Sequence, residues 1–77
     1  MLTVYSTTWC GYCARLKKML DREGIGYTEV NIEEDDSAAE LVMSVNGGNR
    51  TVPTVMLPDG GALTNPSIEQ VKQALAA

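Results

Sequence analysis

Leu2-Thr3-Val4-Tyr5-Ser6-Thr7-Thr8-Trp9-Cys10-Gly11-Tyr12-Cys13 runs from β-forming residues straight into the two cysteines of the chain. Leu2 to Thr7 reads as a strand. From Cys10 to Glu23 the apolar residues Cys13, Leu16, Met19 and Leu20 recur at helical spacing, with Arg15, Lys18 and Arg22 on another face. A strand-to-helix junction at this point leaves Cys10 at the mouth of the helix. Unpaired backbone N–H groups and the positive end of the helix dipole favour a thiolate there. Cys13, one turn further in, is within reach of a disulfide and more shielded from solvent. This placement reads as a redox site rather than a staple, and the loop the pair closes is too short to stabilise much.

Outward from this junction, Gly24 and Gly26 end the helix. Tyr27 to Ile32 reads as a second strand. Ser37-Ala38-Ala39-Glu40 is a capping-box sequence opening a second helix through Leu41, Val42 and Val45, and Asn46-Gly47-Gly48-Asn49 stops it. Thr54 to Leu57 is a third strand, Pro58-Asp59-Gly60-Gly61 a hairpin turn, and Ala62 to Thr64 a short fourth strand. Asn65 is placed to cap a last helix with Pro66 at its first position, and Ile68, Val71 and Leu75 form its apolar stripe. The expectation is one α/β domain over residues 1–77 in the order β-α-β-α-β-β-α. Its first two strands are parallel and its terminal hairpin antiparallel.

With 77 residues, 44% of them hydrophobic, the chain suits one folded domain near the lower size for an independent core. A net charge of −4 argues against a nucleic-acid partner, and no segment approaches a membrane span. The opening residues lack a basic leader, and one cysteine pair is sparse for a small secreted domain, so the cytoplasm is expected. The charge is uneven. Arg15, Lys17 and Lys18 follow the cysteines, whereas Glu33-Glu34-Asp35-Asp36 centre an acidic stretch from Asp21 to Glu40. This pattern predicts a positive side near the thiols, with the acidic run as a solvated loop and helix start.

Three features together resemble the glutaredoxin branch of the thioredoxin superfamily: the element order, Cys10-Gly11-Tyr12-Cys13 after the first strand, and Thr51-Val52-Pro53 before the third. The resemblance implies a thioredoxin fold, with a four-stranded mixed sheet flanked by three helices, and thiol–disulfide oxidoreductase activity. It implies that Cys10 attacks a substrate disulfide, while Cys13 resolves the intermediate or traps Cys10. It also implies a cis Val52–Pro53 bond facing the cysteines, with the Val52 backbone pairing with an extended thiol ligand like an added strand. A strand-edge proline avoiding a ladder hydrogen bond is the alternative. Tyr12 is read as a wall of that groove or as a plain surface tyrosine, and Trp9 as a packing and shielding residue at the substrate face. Gly11 departs from the proline more usual in this family and leaves the helix start less preorganised.

Glutathione carries two carboxylates and an amine, yet Thr64-Asn65-Pro66-Ser67 holds no acid to receive the amine before Glu69. Thr64, Asn65, Ser67 and Asn49 suit a hydroxyl-rich, uncharged ligand. Correspondingly, Cys10-Gly11-Tyr12-Cys13, the run Val45 to Val55 and Leu63-Thr64-Asn65-Pro66 are similar to the mycoredoxins. That likeness implies mycothiol, a cysteinyl sugar–inositol thiol, as co-substrate with no bound cofactor and no metal. It implies mycothiolated proteins as substrates, a flavin-dependent disulfide reductase as indirect electron source, and a monomer. The substrate-contacting residues it implies are Trp9, Tyr12, Arg50, Thr51, Val52, Pro53, Thr64 and Asn65, Arg50 serving either the ligand or its own loop. Two other readings stand beside it. One is a dithiol redoxin feeding electrons to ribonucleotide reductase from thioredoxin reductase; the other is an iron–sulfur-binding glutaredoxin-like protein.

A free thiol with a pKa of about 8.5 is only about 3% ionised at neutral pH, and lowering it by about two units makes most of it thiolate. Alkylation of the reduced protein against pH should therefore show a Cys10 midpoint below about 8.5, and a midpoint at or above that value rejects the helix-mouth reading.

Overall fold

β1 (Leu2–Ser6) alternates buried and half-buried side chains, as a strand covered on both faces must. The computed structural model describes residues 1–76. After β1 come α1 (Gly11–Arg22), β2 (Tyr27–Asn31), α2 (Asp36–Val45), β3 (Thr54–Met56), β4 (Ala62–Thr64) and α3 (Ile68–Ala76). The sheet order is β2-β1-β3-β4; β1 pairs parallel with β2 and antiparallel with β3, and β3 with β4 antiparallel. The expected element order and strand directions hold, with ends shifted by one residue or so.

The sheet separates two apolar layers. On one face Leu2, Val4 and Val55 meet Leu16 and Leu20 of α1 and Val71 of α3. On the other, Ile32 and the α2 residues Ala38, Ala39 and Val42 pack with Tyr5, Val30 and Val52. Each fully buried Leu or Val contributes about 1.5–3 kcal/mol relative to exposure. Gly24 closes α1 in left-handed geometry at φ 70°, where Ile25 N–H donates to the Leu20 carbonyl at 2.9 Å and carries its side chain into the core.

Two helix starts differ from expectation. Asp35, not Ser37, caps α2: its backbone is extended and its carboxylate accepts from Ala38 N–H at 3.1 Å. An acid two residues earlier satisfies the same orphan donors and gains from the dipole, so Ser37 joins the first turn instead. At α3, Asn65 adopts φ 45° and the cap is Ser67. Ser67 Oγ accepts from Gln70 N–H at 3.1 Å, while Gln70 Oε1 accepts from Ser67 N–H at 2.8 Å. That reciprocal pair is a capping box starting two residues later than expected. The stripes shift as well. In α2, Leu41 and Val45 are exposed because Ala38, Ala39 and Val42 form the inward face, and in α3 Leu75 lies outward beyond Val71.

Ser67→Ala should lower stability in urea unfolding by about 0.5–2 kcal/mol, the ordinary cost of a lost cap. No change would return the capping role to Asn65.

Candidate active site

Cys10 is the N-cap of α1, with φ −85° and ψ 108°. It can leave the helical region because the turn from β1 ends on it, its own N–H reaching the Thr7 carbonyl at 3.5 Å. Its sulfur then faces the orphan donors of the first turn, and Cys13 N–H donates to Cys10 Sγ at 3.1 Å. Cys10 and Cys13 are joined as a disulfide with Cα atoms 5.2 Å apart. Cys10 keeps 8% of its surface open and Cys13 only 1%. The pair is therefore graded, an outer sulfur and an inner one. A Cβ at Gly11 would meet no atom within 4 Å, so glycine there leaves open space rather than relieving a clash.

The second wall is the loop before β3. Val52–Pro53 is cis, and the Val52 carbonyl oxygen lies 3.8 Å from Cys10 Sγ. Pro53 is buried, and its carbonyl accepts from Asn65 N–H at 2.8 Å, which brings the approach to α3 beside the loop. Thr51 offers its carbonyl to Thr54 Oγ1 at 2.7 Å. Asn46, read from sequence only as a helix stop, is the hub that holds this region. Its amide donates to Val42 O at 2.7 Å and to Thr54 Oγ1 at 3.0 Å, and its carbonyl accepts from Thr64 Oγ1 at 2.5 Å. One side chain thus ties α2 to β3 and β4. The signal available was Asn before paired glycines, but nothing local announced contacts 8 and 18 residues away.

Tyr12 is 66% exposed and lines a groove of about 330 Å³ between α1 and the start of α3, shared with Arg15, Asn65 and Ser67. Glu69, which the sequence order put past the rim, lines this groove too, so it holds one cation and one anion rather than neutral groups alone. Trp9 does not pack: it is 71% exposed, and only its indole N–H is engaged, donating to Glu33 Oε2 at 3.1 Å. Arg50 is exposed and makes no hydrogen bond or ion pair among the described residues, so the tether to its own loop is not formed. Asn46 supplies that restraint.

Of the three bases expected to make the side near the thiols positive, one is neutralised, while Arg15 and Lys18 form no ion pair among the described residues. Lys17 Nζ sits 2.7 Å from Glu29 Oε2, which also accepts from Ser6 Oγ at 2.7 Å. Both residues line a polar cavity of about 470 Å³ with Cys10, Thr8 and Glu34. Parallel pairing of β1 with β2, invisible in linear order, brings this carboxylate over. Hydrogen bonds from Lys17 and then Ser6 hold the Glu29 carboxyl below its ordinary range, against a smaller opposing effect of burial. Beside it, the buried Thr7 hydroxyl has no partner among the described residues.

The glutaredoxin family model matches residues 2–61. A Mycobacterium tuberculosis protein described provisionally as a glutaredoxin is 61% identical over 74 residues, covering 96% of this chain and 88% of its own length. Mycoredoxin 1 of Corynebacterium glutamicum is 47% identical over 70 residues, covering 91% of this chain and 86% of its own. The solved glutaredoxin of Archaeoglobus fulgidus superposes with a TM-score of 0.80 at 26% identity, across 99% of this chain and 86% of that one. The thioredoxin fold expected from the sequence is the fold observed.

Because the folded-state Glu29 pKa is depressed, its contribution is complete above the unfolded value near 4.5 and fades as pH falls through the lower folded value. Urea unfolding of wild type and Glu29→Gln should therefore differ at neutral pH and converge in acid. A difference independent of pH would show that the ion pair does not stabilise the fold.

Proposed function

The chain belongs to the glutaredoxin family of thiol–disulfide oxidoreductases, and on that premise we propose that it reduces mixed disulfides between proteins and mycothiol, with mycothiol as electron donor. The likeness to Mycoredoxin 1 across 91% of the chain carries this reading. The site's chemistry supports it. A tripeptide with two carboxylates and an ammonium needs matched counter-charges, and the approach to α3 supplies hydroxyl and amide groups from Asn65 and Ser67, with only Arg15 and Glu69 charged. A sugar–inositol thiol is satisfied by such neutral partners.

In the reaction, the Cys10 thiolate attacks the mycothiol sulfur of the mixed disulfide. The substrate protein leaves as its thiolate and takes a proton from water, and Cys10 carries the mycothiol. A second mycothiol thiolate attacks the mycothiol sulfur of that adduct, releasing Cys10 and forming mycothiol disulfide. A flavin-dependent reductase then restores the mycothiol pool. Cys10 suits this role as helix cap, since the Cys13 N–H that reaches its sulfur favours the anion both as attacker and as leaving group. The Val52 backbone is available to pair with the extended cysteinyl part of the ligand. Tyr12, Thr51, Pro53, Thr64 and Asn65 shape the rim, while the exposed Trp9 and Arg50 face the modified protein. Cys13 is dispensable for this route, and its disulfide with Cys10 is a side state. The protein acts as a monomer in the cytoplasm.

Cys13→Ser cannot close the internal disulfide. Offered one protein modified either with mycothiol or with glutathione, this variant should collect the mycothiol adduct preferentially, as read by intact mass. Equal or reversed preference removes the partner assignment and leaves the oxidoreductase assignment standing.

A further inference from the structure

The connection from β2 to α2 lies on the Cys10 side of the molecule with Glu33 and Glu34 exposed. Trp9, adjacent to Cys10, is hydrogen-bonded to Glu33, and Glu34 lines the same polar cavity as Cys10 and Thr8. Within that cavity Lys17 and Glu29 cancel each other as an ion pair. Glu33 and Glu34 have no ion-pair partner among the described residues. Asp35 and Asp36, next along the chain, are used by α2, as its cap and in its first turn. Two unpaired carboxylates therefore lie on this side of Cys10, Glu34 in its cavity and Glu33 on the Trp9 indole, while the unpaired Arg15 and Lys18 line depressions that lack Cys10.

We propose that Glu33 and Glu34 determine thiol specificity by repelling adducts that carry carboxylates. The inference rests on the proposed preference for an uncharged thiol and names the residues that enforce it. A tripeptide adduct reaches no more than about 10 Å from the sulfur that holds it, close to one Debye length at cellular salt. Its net negative charge stays inside the field of these glutamates, whereas a polyol adduct has no charge to repel. Selection of this kind works against the wrong ligand and requires no additional contact to the right one. At surface dielectrics, two such glutamates amount to about a three- to tenfold effect on rate.

The test uses Glu33→Gln/Glu34→Gln in the Cys13→Ser background, with one peptide carrying either mycothiol or glutathione and single-turnover adduct formation as readout. Glutamine keeps an acceptor for the Trp9 indole, so the loop retains its anchor. The ratio of mycothiol to glutathione rates should fall about three- to tenfold through a faster glutathione reaction, and added salt should shrink the parent's ratio but not the variant's. Asp21→Asn/Glu23→Gln, the same charge change at the far end of α1, should leave the ratio unaltered. An unaltered ratio in the loop variant, or an equal fall in the remote one, overturns the inference. A change in Cys10 reactivity alone would alter both rates together and leave the ratio fixed, which also counts against it. A parent without preference for mycothiol would sink the partner assignment separately, since the charge effect is judged by the change between variants.

Discussion

The site depends on a single side chain with two duties: Cys10 caps the N-terminal end of α1 and carries the outer sulfur of the pair. As N-cap it must hold an extended backbone, which turns Sγ toward the open first turn and gives it the Cys13 N–H. The same geometry leaves the sulfur 3.8 Å from the Val52 carbonyl, so the helix mouth and the cis-proline loop meet at one atom. The loop's position in turn rests on Asn46, whose amide reaches α2 and β3 and whose carbonyl is met by β4. Thr64 is committed to that network through its hydroxyl.

The electrostatic character of the site follows from pairing as much as from composition. Three bases follow the cysteines, yet Lys17 spends its charge on Glu29. Arg15 borders the Tyr12 groove on the α3 side and also lines, with Lys18, a depression along α1 that lacks Cys10. What remains at the outer sulfur is the helix end, which is fixed by covalent geometry and screened little by salt because it acts at contact. Facing it are acids of β2 and of the connection to α2. The helix end acts on the sulfur at contact, whereas the acids line the cavity into which it opens.

Much of this was legible in order alone. Strong β-formers before Cys10 and helical spacing after it implied the first wall of the site, while the second, at Thr51-Val52-Pro53, was implied by the resemblance to glutaredoxins. The misplaced features share a cause, since caps and stripes are contests between neighbours that propensity leaves open. Asp35 and Ser67 each competed with a nearby candidate two residues away, and the winner was whichever could reach an orphan N–H once the helix axis was set. The exposure of Trp9 has the same origin, because a large apolar residue is covered only if a neighbouring element lies over it, and here none does.

By itself the sequence determined the element order, the junction that puts a cysteine at a helix mouth, and the proximity of its partner one turn on. These are short-range consequences of periodicity, backbone freedom and capping chemistry, so they need no knowledge of the whole. Tertiary structure alone decided that Glu29 would neutralise Lys17, that Asn46 would brace three elements, that Glu33 would meet the Trp9 indole and that Glu34 would share a cavity with Cys10. Those contacts join residues brought together by the β1–β2 and β1–β3 pairings, and sheet register is set by the burial of two faces at once rather than by any local run.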